Sequence, residues 1–141
     1  MATFNKFYAF VEHLSEGVHD LGADLLTVAM CAAANAPSVS DDAVLTDVTQ
    51  ISYTYCSSRV ISISSSAQTG GVYKLVVADL VLSASGGSVG PFRYILVYND
   101  TPTSPADPLI GYYDYGSDLT LADGESLTLD FNATTGLLQL T

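Results

Sequence analysis

Apolar residues recur at two different periods along this chain, and the change of period divides it. Phe4, Phe7, Tyr8, Val11, Leu14 and Val18 fall three and four apart, which predicts an amphipathic helix with these side chains on one face. Thr3 or Asn5 is placed to cap its start, and Gly17 or Gly22 to end it. A stripe of this kind belongs more often to a helix facing its own core than to one facing a partner.

Beyond Gly22 the period is that of strands. Asp24 to Ala32 reads as a first strand, and Ala33 to Asp42, with Asn35, Pro37, Ser38, Asp41 and Asp42, as a loop. Val44 to Tyr55 supplies one or two strands, with Ile51, Tyr53 and Tyr55 alternating against polar neighbours. Arg59 to Ser64 repeats the alternation. Gln68-Thr69-Gly70-Gly71 is a turn before a long strand from Val72 to Ala84, and Ser85-Gly86-Gly87-Ser88 is a second turn. Pro91 to Asn99 follows, with Phe92, Tyr94, Leu96 and Tyr98 on one face and Ile95 and Val97 on the other. Both faces are apolar, so this strand should be central. Asp100 to Pro108 contains three prolines and reads as a loop. Leu109 to Tyr115, Glu125 to Phe131 and Gly136 to Leu140 close the chain, with turns at Asp123-Gly124 and Thr135-Gly136.

About eight short strands after one helix, with no further helices to serve as crossovers, predict a mainly β fold: an antiparallel jelly roll or β-sandwich. Residues 1–141 form one domain, with 1–22 as N-terminal helix and arm and 23–141 as the β-sandwich body.

Composition narrows the function. Four Lys and Arg stand against fifteen Asp and Glu, a net charge of −11. Lys6, Arg59, Lys74 and Arg93 are scattered, so no basic patch is available to neutralise phosphates, and direct nucleic-acid binding is not expected. The acidic balance suits either solubility or docking on a basic or mixed surface. No apolar run is long enough for a membrane helix. Lys6, Glu12, His13 and Glu16 interrupt the segment that a signal peptide would need. Cys31 and Cys56 are then expected as free thiols, and their spacing is not that of a zinc site.

Candidate chemistry is sparse. His13 and His19 have no nearby Cys or paired-His motif and read as surface residues. Asp123 and Glu125 could hold Ca²⁺ with backbone carbonyls, or act as a carboxylate pair in a small hydrolase, yet no spaced loop motif supports either. Gly70-Gly71 and Gly86-Gly87 lack the context of a phosphate loop and serve turns. Asn99-Asp100-Thr101 and Asn132-Ala133-Thr134 match the glycosylation sequon, which carries no weight without secretion. Tyr98, Tyr112, Tyr113 and Tyr115 could line a sugar platform, though tyrosines packed at strand ends are the commoner arrangement. No catalytic, cofactor-binding or metal-ligating residue is assigned.

One resemblance spans nearly the whole chain. Asn5-Lys6-Phe7 and Glu16-Gly17-Val18-His19-Asp20-Leu21-Gly22 open it. Gly71-Val72-Tyr73-Lys74-Leu75-Val76 follows, leading to Ala84-Ser85-Gly86-Gly87-Ser88-Val89-Gly90-Pro91-Phe92-Arg93-Tyr94. Asp107-Pro108-Leu109-Ile110-Gly111-Tyr112 and Leu121-Ala122-Asp123-Gly124-Glu125 end it. These blocks, in this order, resemble small virion structural proteins of tailed bacteriophages, the capsid cement or decoration proteins. Departures lie mainly between Ala33 and Ser66, so loop contacts are not carried over.

The resemblance implies a jelly-roll protein made in the host cytoplasm and carried on the outer surface of the phage head. There it would bind the major capsid protein, bridge neighbouring subunits and stabilise the shell as a homo-oligomer, a dimer or trimer. It implies no enzyme activity and no cofactor. Candidate contact residues are Phe4, Phe7 and Tyr8 of the N-terminal segment and Pro102, Pro105 and Pro108 of the proline-rich loop. If the helix is instead part of the core, losing Phe7 unfolds the protein. Tail-associated structural protein and carbohydrate-binding adhesin are the alternative readings.

Overall fold

The computed structural model describes residues 2–141. Among these residues the chain runs β1 (Phe4–Lys6), α1 (Tyr8–Ser15) and β2 (Leu26–Cys31), then through two short 3₁₀ turns to β3 (Val60–Ile61). It continues as β4 (Ile63–Thr69), β5 (Val72–Val77), β6 (Leu80–Ser83), β7 (Val89–Asn99), β8 (Leu109–Leu121), β9 (Ser126–Leu129) and β10 (Leu138–Leu140). Every strand pair is antiparallel. The sheets are β1-β8-β7-β2-β3, β10-β5-β4 and β6-β9. The fold is thus mainly β with one N-terminal helix, as the periodicity implies. Its sandwich-like body closes over one core, to which α1 and all three sheets contribute.

The strand with two apolar faces lies third of five in its sheet. Tyr94 to Asn99 are all buried, between β2 on one side and β8 on the other. Each fully buried aliphatic here contributes roughly 1.5–3 kcal/mol relative to exposure, so β7 is the element the core is built around.

The N-terminal reading needs correction. Phe4–Lys6 is a strand paired with Tyr113–Gly111 of β8, so the helix begins only at Tyr8. Its N-cap is Phe7, without a side-chain cap, rather than Thr3 or Asn5. Phe7 and Phe10 turn inward, while Tyr8 and Val11 are exposed. The helix ends where Gly17 adopts φ +80°. Val18 N–H bonds His13 O at 2.9 Å and Gly17 N–H bonds Leu14 O at 3.3 Å, the paired closure that a left-handed glycine permits.

Two strand readings also change. Val44 to Tyr55 forms no strand; it holds a 3₁₀ turn at Leu45–Asp47 and then irregular chain. That stretch is fixed by isolated backbone bonds, such as Ile51 N–H to Met30 O at 3.0 Å, and by side chains instead of a ladder. Met30 N–H donates to Tyr53 Oη at 2.8 Å, and Tyr53 Oη donates to Gln50 Oε1 at 2.8 Å. The long strand Val72 to Ala84 is broken at Ala78-Asp79, where the chain leaves β4 and β5 and moves to pair with β9. Asp79 Oδ1 accepts Phe131 N–H at 2.9 Å, which anchors the crossing point.

Candidate functional site

The six residues singled out by the sequence separate into core and surface. Phe7 is fully buried and packs on Tyr112, with ring centroids 5.7 Å apart. Pro108 is buried and bridges Val44, while its carbonyl accepts Asn99 N–H at 3.0 Å. Neither offers a surface to a partner. Phe4 is half-buried against Tyr113, with centroids 5.0 Å apart. Pro102 and Pro105 are half-buried in a tight loop closed by a Thr103–Ala106 bridge. Tyr8 alone stands well clear of the body, 66% exposed, and Val11 beside it is 48% exposed. One helical turn apart, these two form an apolar patch on the outer side of α1.

The tyrosine platform does not form. Tyr98 is buried. Tyr112 and Tyr113 are successive residues of a strand and so point to opposite faces. Tyr112 meets Phe7 and Tyr94, whereas Tyr113 meets Phe4 and Phe131. Tyr113 and Tyr115 share a recess of about 230 Å³ with Ile95, Leu129 and Phe131. Burial holds the Tyr113 hydroxyl at a pKa of about 12, so it stays protonated and neutral.

The carboxylate readings fare similarly. Asp123 Oδ1 accepts Gly86 N–H at 2.9 Å and so fixes a turn, while Glu125 is exposed. Among the described residues no group of three His, Cys, Asp or Glu side chains is placed to hold a metal ion. Cys31 and Cys56 are free thiols. Burial, with the Asp42 charge adding to it, raises the Cys31 thiol to about 11, which keeps it in its unreactive protonated form at neutral pH.

A buried polar cluster that sequence reasoning missed joins the end of the N-terminal arm to β7. His19 is buried, not a surface residue. The Asn99 amide nitrogen lies 3.0 Å from His19 Nδ1 and donates to Asp24 Oδ2 at 2.6 Å, while Asn99 Oδ1 accepts Thr101 N–H at 3.1 Å. With the amide oriented by these contacts, His19 Nδ1 is the acceptor and its proton sits on Nε2. Asp24 Oδ2 also accepts Asp20 N–H at 2.8 Å. The His13 ring lies 6.2 Å from that of His19, and Phe10 packs on His19 at 5.1 Å. Desolvation, with His13 adding to it and Asp24 opposing it, depresses His19 to about 4. A neutral imidazole locked between helix and sheet is a structural hub. The signal in the sequence was Asn99, a lone amide ending an apolar strand.

A second unforeseen contact set holds the irregular stretch before β3. The Arg59 guanidinium lies 3.7 Å above the Tyr53 ring and donates to Val28 O. It clamps the chain after Ser58 against β2 and β7.

Comparison of the chain with protein-family models, with curated proteins and with solved structures finds no match.

Proposed function

We propose that this chain is a non-enzymatic cement, or decoration, protein of a phage head. It binds the outer surface of the major capsid protein shell and bridges neighbouring subunits. The observation that carries this reading is the resemblance itself, whose blocks keep their order from Asn5 to Glu125.

Those blocks coincide with the constrained parts of the fold. They include the Gly17 helix end, His19 of the buried cluster, Gly71 of the β4–β5 turn and Gly111, where β1 crosses close over β8. A rigid antiparallel body with an acidic exterior also suits a protein displayed in many copies on a shell that encloses DNA. In this reading Tyr8 and Val11 supply apolar contact to the capsid. Modest individual affinity is then multiplied by simultaneous engagement of several subunits. The jelly-roll winding and the assignment to the head are parts of the same proposal.

Cryo-electron microscopy of virions tests it. The expected result is side-chain density for this chain between outer capsid subunits, in copy numbers that follow the icosahedral lattice. Density confined to the tail, or absent from the particle, overturns it.

A further inference from the structure

The acidic residues of this chain are unevenly distributed. From Val48 to Ala78 there is no Asp or Glu, although the chain as a whole carries fifteen. The same stretch holds Arg59 and Lys74, two of the four cationic residues. It folds into β3, β4 and β5, and its outer boundary is β4, the edge of the three-stranded sheet.

Edge strands expose unpaired backbone groups, and proteins commonly guard them with charges, prolines or covering segments. The other edges here are short or guarded. β1 has three residues including Lys6, β3 has two and β10 has three. β6 is covered by Ser57, whose N–H donates to Ser83 O at 3.0 Å, and β9 is flanked by Glu125 and Asp130. β4 has seven residues, Ile63-Ser64-Ser65-Ser66-Ala67-Gln68-Thr69, without a charge or a proline, and all but Ile63 are exposed.

The hairpin fixes which backbone groups look outward. Gly70 and Gly71 both adopt positive φ between the closing pair Thr69 and Val72, the two-residue primed turn whose flanking residues exchange hydrogen bonds. Alternation from that pair turns the backbone groups of Gln68 and Ser66 away from β5. The carboxylates near this strand lie beside it and not on it: Asp20 is set by Gly22 and the Ser66 side chain, and Asp79 and Asp130 share a recess with Ser64.

We infer that β4 is a dimerisation edge. Two copies of this chain pair β4 to β4, antiparallel across a two-fold axis near Ser66, and their three-stranded sheets join into one of six. Identical chains of net charge −11 repel, and this edge is where their backbones approach without bringing strand carboxylates together. The two-fold is self-consistent, because an antiparallel edge pairs with its own copy.

The dimer is a property of the isolated chain, independent of any capsid, and is read by sedimentation equilibrium of the full-length protein at 0.15 M salt. The expected result is a concentration-dependent dimer. Ala67 is exposed and lies directly opposite Lys74 of β5. In the monomer, therefore, Ala67→Glu gains a cross-strand charge pair and Ala67→Lys meets a like charge, and their thermal unfolding should shift slightly in opposite directions. In the dimer both substitutions set like charges diagonally across the two-fold, and each should weaken association at least about tenfold whatever its effect on the monomer. Amide exchange at Ser66 and Gln68 should slow as dimer forms. A monomer at every concentration, or a dimer indifferent to both substitutions, overturns the inference. So does association that Ala67→Lys strengthens and Ala67→Glu weakens, because that pattern belongs to an edge docking on an acidic surface. A chain that dimerises through β4 yet is absent from heads sinks the cement reading and leaves the edge standing.

Discussion

The amide of Asn99 donates to the carboxylate of Asp24 at 2.6 Å across a sequence separation of 75 residues, and that bond ties the arm after α1 to the end of the central strand. Asn99 is fully buried and also meets His19 and Thr101. Removing it strands several buried polar groups at once, which is the costly direction for a hydrogen-bond deletion. Asn99→Leu should lower stability by about 2–4 kcal/mol, read as a shift in the urea midpoint with unchanged slope.

Acid should loosen the same region. The folded pKa of His19 is depressed to about 4 from an ordinary value of 6.5, so the unfolded chain takes up the proton first. Its contribution to stability is complete above about pH 6.5 and is lost progressively as pH falls towards 4. The carboxyl of Asp107, raised by partial desolvation and by its neighbour Asp100, acts in the opposite sense. Asp47 and Asp114 are held below the ordinary carboxylate range by backbone amides and by Arg93 respectively, and lose their contributions at lower pH. Denaturation midpoints measured between pH 7 and 4.5 should fall, and His19→Gln should flatten that slope while lowering the plateau.

Arg59 holds its stretch by shape as well as charge. Arg59→Ala should cost about 2–3 kcal/mol, from the lost ring stacking and the hydrogen bond to Val28 O. Arg59→Lys should recover little, because an ammonium cannot both stack flat and donate sideways. Chemical denaturation of the pair checks this, and full rescue by Lys would reduce the clamp to simple charge.

Exposed and buried residues of the N-terminal segment should part company under mutation. Phe7→Ala should destabilise the fold by about 3–5 kcal/mol. Tyr8→Ser combined with Val11→Ser should change stability by less than about 0.5 kcal/mol and yet abolish co-sedimentation with phage heads. Unimpaired sedimentation of the double variant would remove the helix patch from the interface.

Two glycines give a contrast in tolerance. A Cβ at Gly87 would meet the Tyr55 ring at 2.5 Å, but that ring is 45% exposed and can swing aside. A Cβ at Gly111 would run into the Phe4 ring and, at 2.8 Å, the backbone oxygen of Asn5. Gly87→Ala should therefore be nearly neutral. Gly111→Ala should push β1 off β8 and expose residues before Phe7 to limited proteolysis, because backbone cannot yield as a surface ring does.

The parts legible in the sequence were those in which one local pattern had one structural outcome. Two apolar faces on Phe92 to Tyr98 require a covered strand, and Gly70-Gly71 between β-rich runs requires a tight hairpin. Ile51, Tyr53 and Tyr55 alternate as a strand would, but Tyr53 is held by Gln50, Arg59 and the distant Met30, and these three side-chain contacts outweigh the pattern. Phe4 to Lys6 carries a helical spacing that the unpaired edge of β8 overrides. The burial of His19 depends on Asn99, 80 residues away, which no local window contains. Contact residues were the least legible, because an apolar side chain near the N-terminus reads the same whether it faces inward, as Phe7 does, or outward, as Tyr8 does.

The pairing of β1 with β8 also sets a timetable. Phe4 cannot reach its place until Tyr113 has left the ribosome, a wait of roughly 5–20 s at ordinary rates of synthesis. A segment made early is thus seated late, and β1 serves as the latch that closes the sheet over β8.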